Sequence, residues 1–323
     1  MSRRLFTVLV LCALLALCGC GSFKKSLFES GMSMERWRSS LTEKTVQAGD
    51  LTVSYLERPG TGETIVMLHG FGADKTNWIR FARYLPKEYR LIAVDLPGHG
   101  SNARDWKRTY DIDSYVKGFA DTADALRLDR FHLAGNSMGG YVSVLYSSEH
   151  PDRILTLCLI DSAGAISPRP GEFRRALERG DNPLVPKTRS QFYKLMDYAF
   201  CKKPFLPWPT YSVLADRSVE LSSFNEKLWN DINTNRKDIA SYLGGLRMPV
   251  LLLWGDKDRI IDVSTVSVFE QHIPHVQTVI FKDCGHVPMI EIPKVTADTY
   301  VGFLDGAGKT AVPAKEAPGE AAP

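Results

Sequence analysis

No block of Lys and Arg interrupts the 323-residue sequence, and 40 basic against 37 acidic residues leave a formal net charge of only +3. A surface that tracks phosphates needs a concentrated basic stripe, so nucleic acid is excluded as a partner. Cysteine is scarce: six residues, of which Cys12, Cys18 and Cys20 fall at the extreme N-terminus. The remaining Cys158, Cys201 and Cys284 are odd in number, so at most one disulfide forms among them, and no pair has metal-ligand spacing. Cys158 sits inside an apolar run and reads as a small buried hydrophobe. A long apolar run is also missing. The N-terminal one, Leu5 to Leu17, is too short to cross a bilayer comfortably as a mature helix. What remains, 44% hydrophobic and 24% charged, is the composition of an ordinary soluble globular protein.

The short apolar run has a context of its own. Arg3 and Arg4 precede it and Leu17-Cys18-Gly19-Cys20 closes it, the order of a secretory signal. The Leu-x-Gly-Cys ending resembles a bacterial lipoprotein signal, in which the Cys is acylated and becomes the new N-terminus. That resemblance implies a signal peptide over 1–19, lipid on Cys20 and a membrane as partner. Gly21 rather than Asp after the Cys implies the outer membrane of the cell envelope. Residues 20–45 are polar and read as a lipid-anchored tether or an N-terminal helix. The tail, 306–323, is rich in Ala, Pro and Gly with no large apolar residue beyond Val312, and is expected to be disordered.

Between these ends, apolar runs alternate with amphipathic ones. Residues 51–56 alternate as a half-exposed strand; 64–68, 91–94, 131–134, 155–160, 250–254 and 278–281 read as buried strands rich in Val, Ile and Leu. Helical patterns fall at 76–85, 113–128, 138–149, 264–272 and 294–304. The alternation predicts an α/β fold with a mostly parallel sheet covered by helices on both faces. It is broken once, over 164–246, a stretch full of aromatics and prolines but without a strand pair. The expected organisation is a core of 46–163 and 247–305 with a helical cap, 164–246, over the carboxyl edge of the sheet, where open α/β sheets bind ligands.

Gly135-Asn136-Ser137-Met138-Gly139 fits G-x-S-x-G and lies between a strand and a helix. A serine on so tight a turn is lifted clear of the sheet, and its neighbours two positions away must be small. The helix N-terminus behind it favours developing negative charge. A serine hydroxyl needs a base to become a nucleophile; His286, in the loop after the last strand, is the best placed of the seven histidines. The base in turn needs an acid to hold its tautomer. Asp258 is the choice, with Asp256 and Asp262 as competitors and Asp161 less favoured. An oxyanion needs backbone donors, each worth about 3 kcal/mol of transition-state stabilisation. Met138 N–H is one; Phe71 N–H, in His69-Gly70-Phe71-Gly72, is the other, with His69 bracing that loop.

His69-Gly70-Phe71-Gly72, Asp95-Leu96-Pro97-Gly98-His99-Gly100, Gly135-Asn136-Ser137-Met138-Gly139-Gly140, Trp254-Gly255-Asp256-Lys257-Asp258 and Gly285-His286 together resemble the α/β-hydrolase superfamily over about residues 50–305. Within it the chain is similar to the monoacylglycerol-lipase-like branch and related bacterial lipases, including a cap segment such as Asn182-Pro183-Leu184-Val185-Pro186. The resemblance implies hydrolysis of acylglycerols or other carboxylic esters through an acyl-enzyme, with no metal and no organic cofactor. Carbon–carbon bond hydrolases of the meta-cleavage-product type share the Gly-Asn-Ser-Met-Gly-Gly elbow and are the alternative. Their oxyanion loop usually carries Gly-Pro-Gly, where this chain has Gly70-Phe71-Gly72-Ala73. A non-catalytic envelope lipoprotein is the remaining alternative, disfavoured by the intact set of reactive residues.

Overall fold

Strands buried on both faces must be apolar at nearly every position, because each alternate side chain enters a different core. The structure, a computed structural model, describes residues 21–307. The expected signal segment, Cys20 and the tail beyond residue 307 lie outside the described residues. Eight strands form one sheet: β1 (Thr42–Ala48), β2 (Leu51–Arg58), β3 (Thr64–Leu68), β4 (Arg90–Val94), β5 (Phe131–Asn136), β6 (Ile154–Ile160), β7 (Val250–Gly255) and β8 (Gln277–Phe281), in the order β1-β2-β4-β3-β5-β6-β7-β8. β2 runs against both of its neighbours, and all other pairings are parallel. Leu68 pairs with Gly135 and Asn136 with Ile160, so the carboxyl ends of β3, β5 and β6 meet at one edge.

The helices, in chain order, are α1 (Gly21–Arg38), α2 (Ile79–Ala82), α3 (Ile112–Ala125), α4 (Met138–Glu149), α5 (Glu172–Glu178), α6 (Arg189–Ala199), α7 (Thr210–Glu220), α8 (Ser222–Thr234), α9 (Ala240–Leu243), α10 (Val266–His272), α11 (Pro288–Glu291) and α12 (Pro293–Ala307). Val66, Leu68, Ile92 and Val94 join one core with α3 and α4 residues such as Phe119 and Leu145. Ile65, Met67, Leu91 and Ala93 join the other, with Phe81 and Tyr300. The period-two split along β3 and β4 is what places helices on both faces. Residues 164–246 hold five helices and no strand. Phe224, Leu228 and Ile232 of α8 are buried in the first core and Phe173 of α5 in the second, so this cap is continuous with the molecule beneath it.

Two sequence boundaries move. The stretch read as a tether or an N-terminal helix, 20–45, is over its described part the helix α1 followed by the start of β1, so the sheet begins at Thr42 rather than 46. β1 is an exposed edge strand whose Thr42, Glu43, Lys44 and Thr45 offer no apolar alternation to read. α1 is seated on the core: Phe28 is buried, Ser39 Oγ donates to Ile79 O at 2.8 Å, and Arg83 pairs with Glu35 at 2.7 Å. At the other end α12 runs through Ala307, past the expected boundary at 306. No helix among the described residues is long and apolar enough to cross a membrane.

Candidate active site

Ser137 occupies the turn between β5 and α4 with φ 54 and ψ −118, a conformation that costs free energy and survives only where surroundings enforce it. They do so here. Ser137 N–H donates to Ile160 O at 3.1 Å, and its carbonyl accepts from Tyr141 N at 3.1 Å and Ala163 N at 3.0 Å. The flanking glycines are required by space: a Cβ on Gly135 would lie 2.4 Å from Gly139 O, and one on Gly139 2.2 Å from Leu68 O. The elbow expected from the sequence is therefore built as a tight β5–α4 turn, with the serine at its apex.

His286 sits in the loop between β8 and α11, held by its N–H to Ala199 O at 2.9 Å and by its carbonyl, which accepts from Asn136 Nδ2 at 3.1 Å. Its Nδ1 lies 2.7 Å from Asp258 Oδ2, with both side chains buried. Asp258 is itself fixed, Oδ1 accepting the Ile260 and Ile261 N–H groups at 2.8 and 2.9 Å. The competing carboxylates are engaged elsewhere. Asp256 pairs with Lys257 at 3.3 Å, and Asp262 caps a 3-10 turn at Ser264 N. Asp161 is near but does not bond the ring; its Oδ1 accepts from Gly255 N at 2.9 Å. With Nδ1 committed to Asp258, Nε2 is left for the cavity that both Ser137 and His286 line. Among the described residues no hydrogen bond joins Ser137 Oγ to the ring.

The loop after β3 passes over Ser137: a Cβ on Gly70 would stand 3.1 Å from Ser137 Cβ. Neither Phe71 N–H nor Met138 N–H donates to a described acceptor. His69 braces this loop, its Nδ1 against Gly70 O at 2.8 Å and its Nε2 accepting Leu96 N–H at 3.0 Å. Burial lowers the His69 imidazole to about 4, and burial with the neighbouring His69 lowers His99 to about 3. Both rings are thus neutral and only weakly basic, and both nitrogens of His69 are already engaged. Lys75 anchors the far side of the loop by a buried ion pair to Asp95 at 2.6 Å. The cavity above, about 800 Å³, is bounded by Phe71, Leu184, Phe192 and Leu214 among others, with Leu27 and Met34 of α1 on its outer wall. Its size is that of a small-molecule or single-chain lipid site.

Sequence reasoning missed two side chains that assemble this centre. Asn136, read only as the variable position of the elbow, donates to both Ile160 O and His286 O at 3.1 Å, tying the end of β5 to the histidine loop. The Glu291 carboxylate accepts Lys202 N–H at 2.6 Å, Gly285 N–H at 3.0 Å and Cys201 N–H at 3.2 Å, joining cap to histidine loop. Nothing in the local pattern marks Glu291. Among the described residues one group of side chains has the make-up of a metal site, Asp161, Asp258 and His286 within 4.8 Å. Its His–Asp donor atoms already face each other in a hydrogen bond.

A family model described as the alpha/beta hydrolase fold matches residues 63–293. "Lipase 3" of Moraxella sp. (strain TA144) is 34% identical over 280 residues, covering 85% of this chain and 88% of that one. The human protein named "Monoacylglycerol lipase ABHD6" is 29% identical over 262 residues, 78% of each chain. The solved structure of a membrane phospholipase A, described as a bacterial virulence factor, superposes with a TM-score of 0.88 at 39% identity, covering 96% of this chain and all of that one.

Proposed function

The chain belongs to the α/β-hydrolase fold family and is an ester hydrolase, and from that premise we propose that it cleaves carboxylic esters of acylglycerol type through Ser137, His286 and Asp258. The observation that carries this reading is the 2.7 Å contact of His286 Nδ1 with Asp258 Oδ2 beside a serine held at positive φ. In the proposed cycle, His286 Nε2 takes the Ser137 proton as Oγ attacks the ester carbonyl. The Phe71 and Met138 N–H groups receive the oxyanion. The intermediate collapses by expelling the alcohol, protonated by His286, and leaves an acyl-Ser137. Water, deprotonated by the same imidazole, attacks the acyl carbon and releases the carboxylic acid. Asp258 holds the Nδ1–H tautomer and stabilises the imidazolium at each stage.

The apolar lining of the cavity supports an acyl substrate, each buried CH₂ contributing about 0.8 kcal/mol. Membrane-borne glycerides are the proposed source, with Cys20 as lipid anchor in the bacterial outer membrane. In support, Leu27 and Met34 of α1 line the cavity, and Phe205 and Trp208 stand exposed. Carbon–carbon hydrolysis is not favoured, since relatives sharing about a third of their residues bear lipase names.

The test is hydrolysis of p-nitrophenyl esters from acetate to palmitate by wild type and Ser137→Ala. Activity that vanishes in the variant, with an optimum at longer chains, is expected; activity that survives the substitution sinks the reading. A Cys20→Ala variant is expected to keep activity on soluble short esters and lose it on glycerides in vesicles. Equal effects on both substrates would remove the anchor from the account.

A further inference from the structure

Taking Ser137, His286 and Asp258 as a triad leaves one buried ionisable side chain at the centre without a role. Asp161 follows β6, is completely buried, and takes φ 46. A non-glycine residue at positive φ is uncommon and needs strong local contacts to hold it. Asp161, Asp258 and His286 each bring a polar atom within 4.8 Å of the others. Asp161 Oδ1 accepts the Gly255 N–H at 2.9 Å, whereas Oδ2 is buried and has no donor within reach.

The acceptor count at Asp258 decides which carboxyl carries a proton. A carboxylate offers about four acceptor sites. Asp258 Oδ1 takes two backbone N–H groups and Oδ2 takes the His286 Nδ1–H, so one site on Oδ2 is open. Two ionised carboxylates side by side and out of water repel, and one of the two takes up a proton. Asp258 is stabilised as an anion by three donors, Asp161 by one. We infer that Asp161 is a neutral carboxylic acid whose O–H donates to the Asp258 carboxylate and so fixes the plane that Asp258 presents to His286.

The surroundings agree. Burial first, then the Asp258 charge and more weakly that of Glu291, hold the Asp161 carboxyl well above the usual range, and only the Gly255 N–H opposes them. The other ionisable neighbour, the Cys284 thiol, is pushed up chiefly by its own burial and stays neutral. Asp161 acts through Asp258 and does not touch the substrate, so it is a positioning residue. A single negative charge under the imidazole suits the reaction, because a second would bind the imidazolium too firmly for it to release its proton to the alcohol.

The experiment is an infrared difference spectrum of the full-length wild type against Asp161→Asn at about pH 8, far above the ordinary carboxyl range near 4. Wild type is expected to show a protonated-carboxyl band that the variant lacks. Kinetics supply the second readout. Asn keeps an acceptor for Gly255 and a donor for Asp258, so Asp161→Asn stays within about twofold of wild type in kcat. Asp161→Ala has no donor and loses about tenfold in kcat with KM little changed. A missing band, or an Asn variant as impaired as the Ala variant, overturns the inference. Should Asp161→Asn not fold, the band is sought in wild type alone, present in the folded protein at about pH 8 and lost on unfolding; its absence is equally decisive. Failure of the triad would register differently, as ester hydrolysis that persists in Ser137→Ala.

Discussion

The conformation of Ser137 is enforced by three backbone hydrogen bonds and by glycines that no other residue can replace without collision. That strain keeps Oγ proud of the sheet. Replacing Gly139 by Ala drives a Cβ to 2.2 Å from Leu68 O, and we expect the variant to lose most activity along with stability, read by ester assay and thermal melt together. Asp258→Asn is expected to lower kcat by about 10³-fold or more, because the amide favours the wrong imidazole tautomer. A loss of only a few-fold would mean that another group orients His286. Ser137 and His286 were legible as the proposed nucleophile and base because the elbow demands small residues at fixed spacing and the histidine follows the last strand. Asp258 was legible as the proposed acid, but with close competitors. Asp256, Asp258 and Asp262 follow the same strand, and what separates them is where the loop turns, which Ile260 and Ile261 N–H decide by clamping Asp258. Glu291 left no trace at all in the sequence, since it acts on backbone N–H groups whose own side chains are unrelated to its task.

At the level of elements, the site is a junction of loops tied to the scaffold by polar side chains. Glu291 binds the end of α6 to the histidine loop through three backbone donors. Glu291→Ala removes them, and hydrogen exchange is expected to accelerate at Cys201, Lys202 and Gly285 while kcat falls about tenfold, the worth of one or two charge-assisted bonds. Unchanged exchange there would show that the clasp is redundant. Lys75→Met should destabilise the fold by about 3–5 kcal/mol, because it leaves the buried Asp95 carboxylate two backbone donors but no counter-charge; a urea titration measures it, and a change below about 1 kcal/mol would contradict the assignment. The buried strands were readable from apolar runs, and the strand-free helical stretch 164–246 from their interruption. The hairpin of β1 with β2 was only half readable. An edge strand facing water on most of its positions carries no apolar signature, so its register comes from pairing with β2 alone.

Across the molecule, the histidines buried neutral make stability depend on pH. His69 and His99 are lowered from 6.5 to about 4 and about 3, chiefly by burial, and His132 is lowered in the same sense. The unfolded chain therefore binds protons that the folded chain refuses once the pH drops below 6.5. Their contribution is fully present above that value and is lost as pH falls toward 4, at on the order of 1 kcal/mol per pH unit for each ring. Asp161 acts with the opposite sign, since its carboxyl is raised and the folded state retains a proton that the unfolded state releases. The histidines outnumber it, so unfolding free energy should drop between about pH 7 and about pH 5, and more steeply in Asp161→Asn; a flat or rising profile would contradict this balance. The proposed chemistry turns on one oxygen atom, Ser137 Oγ. The most direct test is to treat the protein with a fluorophosphonate, which phosphonylates only an activated serine, and to locate the adduct by peptide mass spectrometry. One adduct on the peptide containing Ser137, absent in His286→Ala, is the predicted result; no adduct, or one on another serine, would contradict the assignment of Ser137 as nucleophile.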